Sequence, residues 1–81
     1  MSTHALKTLP QYFKLIESGE KTFEVRKNDR NFKSGDKLLI QEYDPEKGYT
    51  GKEWEGNITY LMDDPAFVKK GMVIFGVKGR E

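Results

Sequence analysis

A change of period at Gly19 limits what this chain can fold into more than any other feature. Before that glycine the apolar residues Tyr12, Phe13, Leu15 and Ile16 keep helical spacing. After it they alternate: Phe23 and Val25 fall on one face of an extended segment, and Thr22, Glu24 and Arg26 on the other. Thr8-Leu9-Pro10-Gln11 predicts the helix start, with Thr8 as N-cap, Pro10 in the first turn and Gln11 reaching back as in a capping box. Gly19 suits the left-handed position that closes a helix. A short amphipathic helix cannot bury its stripe alone, so it must pack on a sheet.

The remaining segments supply that sheet. Residues 3–7 read as a short first strand. The turn Ser34-Gly35-Asp36 leads into Lys37–Tyr43, where Leu38, Leu39 and Ile40 mark a buried strand. Asp44–Gly48 reads as a loop and Tyr49-Thr50-Gly51 as a second turn. Glu53–Met62 then alternates, with Trp54, Ile58, Tyr60 and Met62 on one side, and Gly56 among them marks a bulge or a close backbone approach. Asp63-Asp64-Pro65 opens a connection with one helical turn, and the apolar run Met72–Val77 reads as the central strand. The expected fold is α+β, mainly β: five or six strands and one N-terminal helix. Closure into a small barrel, with the helix plugging one end, would remove exposed sheet edges.

At 81 residues and 36% hydrophobic content the chain supports one core and one domain, residues 1–81. With no cysteine and one histidine it offers no disulfide, thiolate-metal site, thiol nucleophile or multi-histidine centre, so no cofactor and no metal are expected. No run approaches the ~18 apolar residues of a membrane span, and Met1–Ala5 lacks the regions of a secretion signal. The expectation is a soluble cytoplasmic protein without a membrane partner.

The net charge of +1 conceals segregation. Residues 20–37 carry six cations against four anions, residues 41–64 seven anions against Lys47 and Lys52, and residues 65–81 four cations against Glu81. One reading is a mixed solvated surface; the sharper one is an anion-attracting face beside an acidic one.

Chemistry concentrates between Gly19 and Asp36. On an extended strand Glu24 and Arg26 project to one face, with Lys21 at the strand's start. Arginine offers a planar fork for phosphate or carboxylate and lysine a point charge, so Lys21, Glu24 and Arg26 could hold an anionic or amide-bearing ligand. The plainer alternative is cross-strand pairing on a wet face. Asn28 and Arg30 add hydrogen-bonding groups directly after the strand, and His4 could face the same cleft. Tyr43, Tyr49 and Phe32 are candidates for base stacking, each with a packing alternative. Trp54 reads as core, and Asp29 and Asp36 as turn residues that bond local backbone N–H groups.

Gly19-x-Lys21-Thr22-x-Glu24-x-Arg26 resembles the signature of the ASCH domain (activating signal cointegrator homology), a relative of the PUA RNA-binding domain. The wider pattern adds His4-x-Leu6-Lys7, Pro10-x-Tyr12-Phe13, Asn28-Asp29-Arg30-x-Phe32-x-x-Gly35-Asp36, Glu42-Tyr43 and Tyr49-Thr50-Gly51. It is similar to small bacterial and phage proteins of the ASCH-like domain-of-unknown-function 3850 family, over nearly the whole chain. The resemblance implies a PUA-like β-barrel with a helix beside a cleft, and RNA or a nucleotide as partner, the Lys–Glu–Arg strand lining that cleft. Some ASCH relatives are hydrolases of acetylated cytidine or of RNA, which would give Lys21 and Glu24 catalytic acid/base roles. The amidohydrolase pattern, however, places a threonine three residues after the lysine, where this chain has Glu24. A third reading is a protein-interaction module using the acidic 42–64 face.

Overall fold

The structure, a computed structural model, describes residues 1–80. Strand β1 (Thr3–Thr8) alternates, burying His4, Leu6 and Thr8. Helix α1 (Pro10–Glu17) follows and buries Phe13 and Ile16. Then come β2 (Phe23–Lys27), β3 (Lys37–Asp44), β4 (Gly48–Met62) and β5 (Met72–Gly79). One curled sheet has the order β1-β3-β4-β5-β2, a half-barrel in which β1 runs parallel to β3 and every other pair is antiparallel. Phe13 and Ile16 cover the inner face, against Leu6, Leu38, Ile40, Ile58, Val73 and Phe75. Each such side chain contributes about 2 kcal/mol by leaving water.

The helix begins differently from expectation. Leu9 is the N-cap and makes no side-chain cap bond. Thr8 instead ends β1, and its Oγ1 accepts a hydrogen bond from Arg26 Nη2 at 2.9 Å. A long-range charged donor has taken the hydroxyl that local pattern assigned to the helix. At the other end Gly19 has φ +85°, and the Lys21 N–H bonds back to the Leu15 carbonyl at 2.9 Å, setting Lys21 just below the helix.

Other expectations shift as well. Tyr49-Thr50-Gly51 lies within β4, where Tyr49 pairs with Tyr43, so the hairpin turns only at Asp44–Gly48. The central strand is β4, with β5 beside it; Val73, Phe75 and Val77 face the core and Ile74 faces out. A register shift between Ile58 and Leu61 turns Tyr60 outward and packs Leu61 against the core. Gly56 marks a close approach, since a Cβ there would stand 2.4 Å from both the Lys78 carbonyl and the Trp54 ring.

Strands β1 and β2 are the two edges, and among the described residues no ladder joins them. Two guanidinium groups bridge the gap. Ser2 already spends its carbonyl on the Lys37 N–H, so in a parallel pair the Ala5 and Lys7 carbonyls face away from β3, toward β2. Arg26 Nη2 donates to Lys7 O at 3.2 Å, and Arg30 Nη1 donates to Ala5 O.

Asp36 anchors the start of β1. Its Oδ2 lies 2.8 Å from His4 Nε2 and accepts from the Lys33 N–H at 3.0 Å, while Oδ1 accepts from the Ser2 N–H at 3.3 Å. Burial pushes this carboxyl up, but the His4 bond and the two backbone donors outweigh it and hold the group below its ordinary value of 3.8. Because the folded value is the lower one, Asp36 contributes stability that is complete above 3.8 and lost as pH falls through the native value. Urea unfolding followed down through that window is expected to lose the part of the stability that Asp36 contributes, and Asp36→Asn to make the acid limb shallower.

Candidate functional site

Strand β2 buries a carboxylate and exposes its apolar residues. Phe23 and Val25 are 47% and 48% exposed, whereas Glu24 is 4% exposed. The polar side of the strand faces inward because α1 and the end of β1 leave a charged recess there. Lys21 Nζ stands 3.4 Å from Glu24 Oε1, and Arg26 Nε stands 3.3 Å from Oε2. Neither contact has hydrogen-bond direction: Glu24 Oε1 and Arg26 Nε are both buried without a hydrogen-bond partner. Coulombic attraction holds the three groups together while directional bonding capacity stays unspent, which is costly inside a protein.

These three residues line a pocket of about 290 Å³ together with Lys7, Thr8, Leu9, Tyr12, Phe23 and Val25. Lys21 Nζ sits 5.5 Å from the Tyr12 ring centre and 5.3 Å from that of Phe23, and both rings are about half exposed. The Glu24 carboxylate can accept an N–H or O–H, the Arg26 guanidinium can donate, and Lys7 and Lys21 attract negative charge. The exposed rings offer flat apolar surface to a planar group.

The other predicted residues lie elsewhere. His4 is buried against Asp36, its ring 4.6 Å from that of Phe32, and does not line this pocket. Asn28 Oδ1 accepts from the Phe32 N–H at 3.2 Å and shapes the loop after β2. Arg30 lines a neighbouring cavity of about 160 Å³ with Lys27, Asp29 and Arg26, so Arg26 belongs to both cavities. Phe32 is core, and Tyr43 and Tyr49 pack edge to face 5.1 Å apart with Lys7 Nζ over Tyr43. The rings that do reach the pocket are Tyr12, which helical spacing assigns to the packed stripe, and Phe23, which the sequence analysis does not name as a site residue. The available signal was the strand itself: with Glu24 and Arg26 turned into a cleft, alternation must turn Phe23 out.

Glu42, in the acidic segment, is buried and accepts from Thr50 Oγ1 at 2.7 Å. Among the described residues no three His, Asp or Glu side chains stand together as a metal site, and no helix is long and apolar enough to cross a membrane.

Fold and site define a small, mainly β half-barrel domain with a charged pocket between its two sheet edges and its helix. The family model described as "Domain of unknown function (DUF3850)" matches residues 3–77, and the chain belongs to that family. It is also 38% identical over 60 residues to a protein of Escherichia phage P2 described as "Uncharacterized 12.9 kDa protein in GpA 3'region". That alignment covers 74% of this chain and 54% of the phage protein, so the chain spans about half the length of this relative.

Proposed function

We propose that the domain binds RNA or a nucleotide in the Lys21–Glu24–Arg26 pocket. The observation that carries this reading is Glu24: a buried carboxylate held between two cations without a directed hydrogen bond, in a pocket walled by exposed aromatic rings. A nucleobase presents N–H donors on its edge and a flat face, and a phosphate complements Lys21 and Arg26. In this reading Glu24 takes the base edge, Tyr12 or Phe23 stacks on it, and Lys21 and Arg26 hold phosphate. An ASCH/PUA-like assignment supports it, since a helix beside a cleft in a curled sheet is the arrangement that resemblance implies.

Hydrolysis by Lys21 and Glu24 is the competing use of the same groups. The threonine that the amidohydrolase pattern places three residues after the lysine is replaced by Glu24, and Thr22 is absent from the pocket lining, so binding is the better supported reading.

Titrating the labelled protein at low salt with AMP, GMP, CMP, UMP and a short RNA, while following amide shifts, tests the proposal. Shifts are expected at Tyr12 and along residues 21–26, fading as salt rises. Shifts confined to other parts of the chain would count against it.

A further inference from the structure

The pocket is not isolated. Through Arg26 it shares a wall with the cavity that holds Lys27, Asp29 and Arg30. Through Lys27 and Asp29 that cavity in turn shares a wall with a third, of about 390 Å³, lined by Lys69 and Lys70. The third is built on a fixed backbone: the Asn28 N–H bonds to the Gly71 carbonyl at 2.9 Å, the Met72 N–H bonds to the Lys69 carbonyl at 2.9 Å, and Lys27 pairs with Met72 in the β2–β5 ladder. These bonds bring the basic middle of the sequence against its basic end. The three cavities hold seven cations against Glu24 and Asp29, a net of +5, in a chain whose total is +1. The rest of the molecule is therefore net negative.

We infer that a single nucleic-acid strand leaves the Lys21–Glu24–Arg26 pocket along β2, past Arg30, and lays its backbone on Lys27, Lys69 and Lys70. This rests on the reading of that pocket as a nucleotide site and extends it from one nucleotide to a strand. From Lys21 to Lys27 an extended chain covers about 20 Å, room for roughly four nucleotides, the lower end of site sizes on small single-strand-binding domains. The polarity is one of roles: a base is read in the pocket, and phosphates alone are held at the far end, because the third cavity is lined by ammonium groups and by no aromatic ring. The acidic remainder keeps a polyanion from wrapping elsewhere.

The test compares wild type with the double variant Lys69→Ala/Lys70→Ala, both of whose side chains are exposed, after matching melting curves. The probes are AMP, ten-residue oligouridine and ten-residue oligothymidine, titrated across a range of salt. The double variant should bind both decamers about tenfold more weakly, with the slope of log K against log salt reduced by about 1.4, and should bind AMP as wild type does. Equal losses for RNA and DNA decamers would place the contact on phosphate; a loss confined to oligouridine would contradict a phosphate-only role. Unchanged decamer affinity and slope would overturn the strand path while leaving the pocket reading intact. Absence of binding by wild type to AMP and to both decamers would overturn both.

Discussion

Arg26→Ala is expected to lower the melting temperature by more than about 10 °C, corresponding to roughly 3 kcal/mol for a domain of this size. The residue acts at two places. It faces Glu24, whose side chain is 5% exposed, and its Nη2 ties the edge of β2 to Lys7 O and Thr8 Oγ1 across the open seam. Alanine would leave a buried carboxylate answered by Lys21 alone and two acceptors on β1 without their donor. Breaking a buried pair from one side is costly because the remaining charge stays desolvated. Arg26→Lys should recover part of the loss, since an ammonium restores charge without the planar fork. Arg30→Ala, at an exposed position, should cost under about 1 kcal/mol. An Arg26→Ala protein melting within a degree or two of wild type would show that the seam is held by packing alone.

That dependence on one side chain explains how far the fold was legible in the sequence. Local pattern located the helix, its closure at Gly19, and segments for all five strands, because periodicity is set by the neighbours a residue has along the chain. It failed where a distant group decides. Thr8 reads as a cap until Arg26 takes its hydroxyl, and Tyr49-Thr50-Gly51 reads as a turn until pairing with β3 and the Glu42 carboxylate draws it into β4. Gly56 was legible as a bulge or a close approach, and the structure shows the close approach, to Lys78 and Trp54.

The site divides in the same way. Spacing alone put Glu24 and Arg26 on one face, and the structure brings Lys21 to them through the Lys21–Leu15 backbone bond. His4 could not be placed from sequence because its partner Asp36 lies 32 residues away. Helical spacing puts Tyr12 in the apolar stripe that packs on the sheet, and alternation puts Phe23 on the face opposite Glu24 without saying which face is covered. Alternation fixes which residues share a face, but which face turns inward depends on what lies over it, here the end of β1 and the start of α1.

The pocket's central claim concerns Glu24 as the group that reads a ligand's donor edge. A hydrogen bond to a charged partner is worth about 1.5–3 kcal/mol, so losing it weakens binding roughly 10- to 100-fold. Glu24→Gln keeps the shape of the side chain and removes the charge and one acceptor. The decisive measurement is the equilibrium affinity of AMP, GMP, CMP and UMP for wild type and for Glu24→Gln, on samples shown to be folded by their backbone amide spectra. The account predicts measurable wild-type binding of at least one nucleotide at low salt and a loss of about tenfold or more in the variant. Equal affinity in the two proteins, or no binding of any of the four by wild type, would contradict it.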